Sequence, residues 1–137
     1  MTTIQKLQAA FQKTEQIRPK VGGFPVLAAV LKEAGAKKNI WQLPSGQSIF
    51  IMNDGNSVVI QNEPLIKGMK DVPIYNEENF LKILRADQNG ETTFPEFLMN
   101  TWLSGVIRYT VDFDNHLVTY YGVNGEEYSE NYPEVEI

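Results

Sequence analysis

The feature that most constrains this chain is a faint similarity between its two halves. When the sequence is compared with itself at an offset of 70 residues, without a gap, the matches fall on residues that commonly begin or end helices and turns. They are Phe24-Pro25 with Phe94-Pro95, Gly35 with Gly105, and Asp54-Gly55 with Asn124-Gly125. An internal repeat predicts one supersecondary unit per copy. We therefore interpret the chain as a tandem duplication.

The second half predicts two helices followed by three antiparallel strands. Asn76 is a typical N-cap for a short helix, and a Pro-started helix is predicted from about Phe94 to Ser104, ending at Gly105. The stretch VIRYTVDF alternates apolar and polar residues, as a half-buried strand does. Asn124-Gly125 is the strongest short-range signal for a hairpin turn, so a third strand is expected near Glu127–Glu130.

The first half repeats this order. A helix is predicted after Thr2-Thr3 and a second one ends at Gly35, followed by strands at Lys37–Leu43, Gln47–Asn53 and Ser57–Gln61. We predict an α+β fold in which two helix-helix-β-meander units, about residues 1–62 and 76–132 with a linker at 63–75, form a single domain. The antiparallel strands are expected to form one or two sheets with the helices packed on one side.

Composition limits the possible compartments and chemistry. The 137 residues include no cysteine, which excludes disulfides, thiolate nucleophiles and cysteine-ligated zinc. The N-terminus lacks the apolar run of a secretory signal, and the longest apolar runs are too short to span a bilayer. The sequence therefore predicts a cytoplasmic protein that does not bind membranes.

Charge is distributed unevenly along the chain. The formal net charge is -5, yet residues 1–38 carry seven basic and two acidic residues, while the 29 residues after Arg108 carry seven acidic and no basic ones. Solvated surface is the simplest explanation. Complementarity between two copies, or an acidic decoy for a basic host protein, are sharper alternatives. No basic stripe is interleaved with aromatic residues, so direct nucleic-acid binding is not expected.

The stretch RADQNGETTFPEFL resembles a calcium-binding EF-hand loop. With Arg85 at position 1, Asp87, Asn89, Gly90 and Glu96 occupy positions 3, 5, 6 and 12. A guanidinium at position 1 removes a ligand and repels the ion. Thr93 and Glu96 also fit a T-x-x-E capping box, which gives Glu96 a structural role. We therefore predict a helix start here and no metal site or other cofactor.

Catalytic motifs are scarce. The single histidine, His116, follows a predicted turn, and no phosphate-binding loop, nucleophile elbow or zinc-binding helix is present. Carboxylate-based catalysis stays open as an alternative, with Asp87, Glu91, Arg108 and Asp112 as the candidate residues.

Aromatic residues accumulate in the second half, where five of the six tyrosines follow Arg108. Adjacent residues of a strand point to opposite faces, so Tyr120 and Tyr121 must lie on different sides of the sheet. One is expected to pack on the helices, and the other to be exposed or covered by a partner. Exposed tyrosine and arginine are typical of interface hot spots.

The segment GETTFPEFL…SGVIRYTVDF…LVTYYGVNGEEY resembles a bacterial family of unknown function, the YbcV-like proteins (domain of unknown function 1398), some of which are labelled phage envelope protein. The matching positions are Gln88, Gly90, Thr92, Gly105, Tyr109, Val111-Asp112 and Thr119-Tyr120-Tyr121. Many relatives have histidine where this chain has Asp87. The resemblance implies the general shape and a phage or prophage connection, but no established activity.

The sequence thus favours a non-catalytic binding or interaction module, self-associating or binding an unknown protein partner. Its expected binding residues are Gln88, Thr92, Arg108, Tyr109, Tyr120 and Tyr121. The alternatives are a small hydrolase-like or ligand-processing enzyme that uses carboxylates, and the acidic decoy.

Overall fold

The computed structural model describes all residues, Met1 to Ile137. Ten elements follow one another along the chain. They are α1 Thr3–Ile17, α2 Gly23–Glu33, β1 Ala36–Gln42, β2 Gln47–Met52, β3 Ser57–Gln61, α3 Glu77–Gln88, α4 Phe94–Leu103, β4 Val106–Asp112, β5 Leu117–Gly122 and β6 Glu127–Asn131.

All six strands form one antiparallel sheet in the order β3-β2-β1-β4-β5-β6. The aromatic contacts between helices and strands fall on the same face of this sheet, where Phe50, Trp41 and Tyr120 meet rings from α1, α4 and α3. We call this the inner face and the opposite one the outer face. The predicted α+β fold with helices on one side is confirmed, and the two meanders share a single sheet.

The two halves contribute equivalent strands to this sheet. Each strand of the second half begins and ends 70 residues after its counterpart in the first half. The β1–β2 and β4–β5 pairings carry an irregularity at matching positions, between Ala36 and Lys38 and between Val106 and Arg108. This correspondence is what a duplication would produce, and the duplication itself stays a prediction.

Three of the four helices start at capping residues that the sequence supplies, and α2 starts after Gly22 without a side-chain cap. Thr2 and Thr93 both form complete capping boxes, and the Asn76 side chain accepts a hydrogen bond from the Asn79 amide. The structure extends α3 to Gln88, so that Asp87 lies in a helix rather than in a loop. Local capping residues therefore located the starts of α1, α3 and α4, whereas no sequence signal fixed the end of α3.

The core lies between the inner face and the helices. Its largest fully buried side chains include Phe80, Leu43 and Phe113. The linker packs against both halves, because the amides of Leu65 and Ile66 donate to the Pro44 carbonyl and the Tyr75 backbone lies against Gly105. The outer face receives no helix.

Candidate functional site

The outer face carries a stripe of apolar side chains on strands β1, β2 and β3. Ile40 and Ile49 lie opposite each other in the β1–β2 pairing, and Ile51 follows two residues along β2. All three are partly exposed, and Val59 on the edge strand is 60% exposed. Alternation along a strand places these side chains opposite the buried Phe50. The molecule therefore presents β-branched side chains on a surface that its own helices leave uncovered.

Arg108 and Tyr121 form a cation–π pair next to this apolar stripe. They lie opposite each other in the β4–β5 pairing, and the Arg108 guanidinium carbon sits 4.2 Å from the centre of the Tyr121 ring. Arg108 takes part in none of the four ion pairs of the structure. Its guanidinium is thus held by a cation–π contact, with no carboxylate partner of its own.

The outer face is large enough for a modest interface. Six strands about 4.8 Å apart, each five to seven residues long, span roughly 24 by 20 Å, or about 500 Å² per molecule. Lys38 on β1 lies opposite Asp112 on β4 at one end of the face. Charges of both signs therefore border an apolar centre.

The inner face holds the other predicted binding tyrosines. Tyr109 and Tyr120 are 9% and 7% exposed, and their ring centres lie 5.8 Å apart. Tyr120 packs 4.6 Å from Phe80, and Trp41 stacks on Tyr109 at 6.0 Å. Burial raises the pKa of both tyrosines far above the ordinary value. The tyrosines of the second half are therefore divided between two faces, and Tyr120 and Tyr121 point to opposite sides as expected.

Asp87 lies beside these buried rings. Its carboxylate accepts a hydrogen bond from the Thr92 hydroxyl at 3.2 Å, and the α1–α2 loop approaches the same place, where the Gly22 amide donates to the Gln88 carbonyl at 3.4 Å. Burial raises the pKa of Asp87, against the lowering effects of the Thr92 hydrogen bond and the Arg18 charge. Asp87 is thus a partly desolvated carboxylate at the junction of the two halves.

Gln88 belongs to a separate surface network. Arg85 Nη1 and Gln88 Nε2 both donate to Glu130 Oε1, at 2.6 and 3.0 Å, and the Tyr128 hydroxyl donates to Glu130 Oε2 at 2.7 Å. Burial would raise the pKa of Glu130, but the hydrogen bonds from Arg85, Tyr128 and Gln88 outweigh it and the pKa is lowered. Arg85, which occupies position 1 of the calcium-like motif, therefore links α3 to β6 through Glu130.

The four candidate catalytic residues are not brought together. Asp112 accepts hydrogen bonds from the amides of Asp114 and Asn115 and from the Asn115 side chain, so it organises the β4–β5 turn. Arg108 lies four residues earlier on the same strand, roughly 13 Å away. Asp87 lies on the inner side, and Glu91 is exposed in the α3–α4 loop.

A cleft near the C-terminus was not anticipated from the sequence. It has a volume of about 590 Å³ and lies between α2 and the segment 133–137, with His116 and Tyr132 in its wall. His116 adopts a left-handed backbone conformation with φ 51°, and its ring meets Tyr132 edge-on at 5.3 Å. Burial, with the charges of Asp112 and Asp114, raises the pKa of Tyr132 to about 12. No local sequence signal marks this cleft, because it is formed between α2 and the C-terminal segment, which are far apart in the sequence.

The architecture is that of an α+β domain with one open antiparallel sheet. The chain belongs to the family described as Protein of unknown function (DUF1398), whose model matches residues 10–131. It is also similar to uncharacterized proteins of Mycobacterium bovis and Mycobacterium tuberculosis, each 43% identical over 133 residues, covering 97% of this chain and 80% of the relative. The expected membership of a family of unknown function is confirmed. None of the four helices is long and apolar enough to cross a membrane.

Proposed function

We propose that this chain is a non-catalytic protein-interaction module that binds its partner through the outer face. The observation that carries this proposal is the uncovered stripe of Ile40, Ile49 and Ile51 beside the Arg108–Tyr121 pair. Exposed contiguous apolar surface marks interaction sites, and tyrosine and arginine are enriched among the residues that dominate binding energy.

The charged and apolar side chains of the outer face indicate which groups its partner should carry. Arg108 offers hydrogen-bond donors and takes part in no ion pair of its own chain, so the partner is expected to supply a carboxylate at that position. Around it the partner should be apolar, to match the isoleucines. We infer a protein surface with an acidic residue next to an aliphatic patch.

The area of the outer face limits the strength of the complex that it can form. Covering about 500 Å² on each side would bury roughly 1,000 Å² in total, which is at the lower end for specific complexes. We therefore expect a transient interaction of moderate affinity. A cytoplasmic setting fits this proposal, since the chain has no cysteine to form disulfides in an oxidising compartment.

The enzyme alternative receives less support. Catalysis by paired carboxylates needs both groups within reach of one substrate, and Asp87 lies on the helix side of the sheet whereas Asp112 lies on the outer face. The acidic decoy is also less favoured, because Glu130 and Asp112 already serve intramolecular hydrogen bonds.

The test compares proteins captured from a native lysate by the wild type and by three variants. Arg108→Glu and Ile49→Lys alter the outer face, and Lys82→Glu changes an exposed lysine on α3 as the matched control. We expect a protein retained by the wild type and by Lys82→Glu to be lost from both outer-face variants, with circular dichroism and thermal unfolding little changed. Equal retention by all four proteins, or loss with Lys82→Glu alone, would contradict the proposal.

A further inference from the structure

The sheet is open, so it ends in two edge strands, β3 and β6. In the β2–β3 hairpin, the Met52 amide donates to the Asn56 carbonyl at 2.9 Å and the Asn62 amide donates to the Gly46 carbonyl at 3.1 Å. Bonded positions alternate along an antiparallel strand. The backbone groups of Val58 and Ile60 are therefore directed to β2. Those of Ser57, Val59 and Gln61 are directed away from the sheet.

Strand β6 has the same geometry at the opposite edge. The Gly122 amide donates to the Glu126 carbonyl and the Tyr132 amide donates to the His116 carbonyl, both at 2.9 Å. By the same alternation, the outward backbone groups belong to Glu127, Ser129 and Asn131. These are the residues 70 positions after Ser57, Val59 and Gln61. The two edge strands of one molecule therefore direct the backbone groups of equivalent residues away from the sheet.

The side chains of the two edges differ in charge. Residues 125–132, which contain β6, include Glu126, Glu127 and Glu130, whereas residues 55–62, which contain β3, include no charged residue and no proline. Natural proteins protect edge strands from pairing with other chains by charge, proline or bulges. Strand β6 is protected in this way and β3 is not, although Val59 is 60% exposed.

We propose that β3 pairs antiparallel with β3 of a second copy of this chain, with Val59 on the twofold axis. Ser57 would then lie opposite Gln61 of the second copy, and the three outward-facing residues of each strand would exchange about six backbone hydrogen bonds. Val59 would meet its own counterpart on the outer face, and β-branched pairs of this kind stabilise sheets. The product is a continuous sheet of twelve strands.

A second copy fits this edge better than an unrelated strand. The twofold arrangement closes both uncharged edges against each other, and the strands left at the ends of the twelve-stranded sheet are the two acidic β6 strands. Assembly therefore stops at the dimer. The pairing uses backbone groups at the sheet edge, so it does not depend on the partner that we propose for the outer face.

The proposal is tested by sedimentation equilibrium of the full chain over a range of concentrations. Val59→Pro removes an amide that faces away from β2, a position where an edge strand tolerates proline, and Ser129→Pro is the equivalent change on β6. We expect the wild type and Ser129→Pro to dimerise. Val59→Pro should raise the dissociation constant by roughly tenfold or more, because backbone hydrogen bonds across the axis are lost.

Val59→Lys and Ser129→Lys repeat the comparison without changing the backbone, and they decide the outcome if a proline variant fails to fold. Two lysines facing each other across the axis should also prevent pairing, while Ser129→Lys should not. A wild type that stays monomeric at about 100 μM, or a dimer that the β3 variants leave intact, would overturn the proposal. Arg108→Glu should keep the dimer, so failure of the outer-face proposal is recognised separately.

Discussion

Ile40 lies directly opposite Thr110 at the centre of the sheet, and these two residues are also separated by the 70-residue offset of the repeat. On either side, Lys38 faces Asp112 and Gln42 faces Arg108. Exchanging the halves therefore maps the β1–β4 pairing onto itself. A twofold axis between two ancestral copies would give this register, which is why we retain the duplication as our proposal for the origin of the fold.

The two equivalent glycines that follow α2 and α4 should differ in tolerance to alanine. Gly35 and Gly105 have φ of 101° and 86°, so alanine at either position is expected to cost about 1–2 kcal/mol. A Cβ on Gly105 would also overlap the Tyr75 backbone, whereas on Gly35 it would lie 3.7 Å from the Met52 side chain. Urea unfolding should show Gly105→Ala losing more stability, by about 1–3 kcal/mol. Equal losses would mean that the linker does not pack against Gly105.

Neighbouring residues on β2 should separate the two faces of the sheet. Phe50 is 4% exposed and meets Phe11 edge-on at 5.9 Å, so Phe50→Ala should reduce the free energy of unfolding by about 3–5 kcal/mol. Ile49→Thr keeps a β-branched side chain on the outer face and should cost about 1 kcal/mol or less. Chemical denaturation of both variants measures the difference. A loss at Ile49 as large as that at Phe50 would identify the outer face as a structural core.

Asp87→Asn should stabilise the protein at neutral pH. Burial raises the pKa of Asp87 in the folded state, so the fold disfavours its charged form, and this cost is present at pH values above the folded pKa. Asparagine keeps an acceptor for the Thr92 hydroxyl. The gain should fade as the pH falls below the ordinary pKa of 3.8, where the carboxyl is protonated in both states. Thermal unfolding at pH 7 and pH 3 checks this, with the exposed Glu91→Gln as control. Destabilisation at pH 7 would show that Asp87 supports the fold.

Glu130→Gln should show the opposite pH dependence. The pKa of Glu130 is lowered in the folded state, so its stabilising effect is full above the unfolded pKa of about 4.3 and is lost as the pH falls through the folded pKa. The partly exposed pair with Arg85 is expected to provide no more than about 1 kcal/mol. The difference in unfolding free energy between wild type and Glu130→Gln should be smaller at pH 3 than at pH 7. Glu127→Gln, on the same strand and without an ion pair, is the control; an equal effect there would rule out a specific Arg85 contact.

Local structure was predictable because its signals are local. Thr93 and Asn76 mark helix starts through side-chain hydrogen bonds to amides three residues away, and Gly125 marks a turn through its positive φ of 87°. Strand faces followed from alternation, which put Tyr109 and Arg108 on opposite faces of β4. These features depend on a few neighbouring residues.

The functional surface was less predictable because it depends on long-range pairing. Only the register of β1 against β4 shows that the first-half isoleucines and Arg108 share one face. The predicted tyrosine surface was divided, since Tyr109 and Tyr120 face the helices and Tyr121 faces outward. Asp87 was a candidate catalytic residue, and no pattern in the neighbouring sequence indicates that the inner-face rings lie beside it.

The most direct test of the interaction module is site-specific photo-crosslinking in cells that express the chain. A benzoylphenylalanine at Ile49 or Tyr121 reports on the outer face, and one at Lys82 reports on the helix side. The account predicts adducts of one discrete mass, larger than the chain by the mass of a different protein, from the two outer-face positions and none from Lys82. Adducts that form equally from Lys82, that contain only a second copy of this chain, or that are missing from both outer-face positions would contradict it.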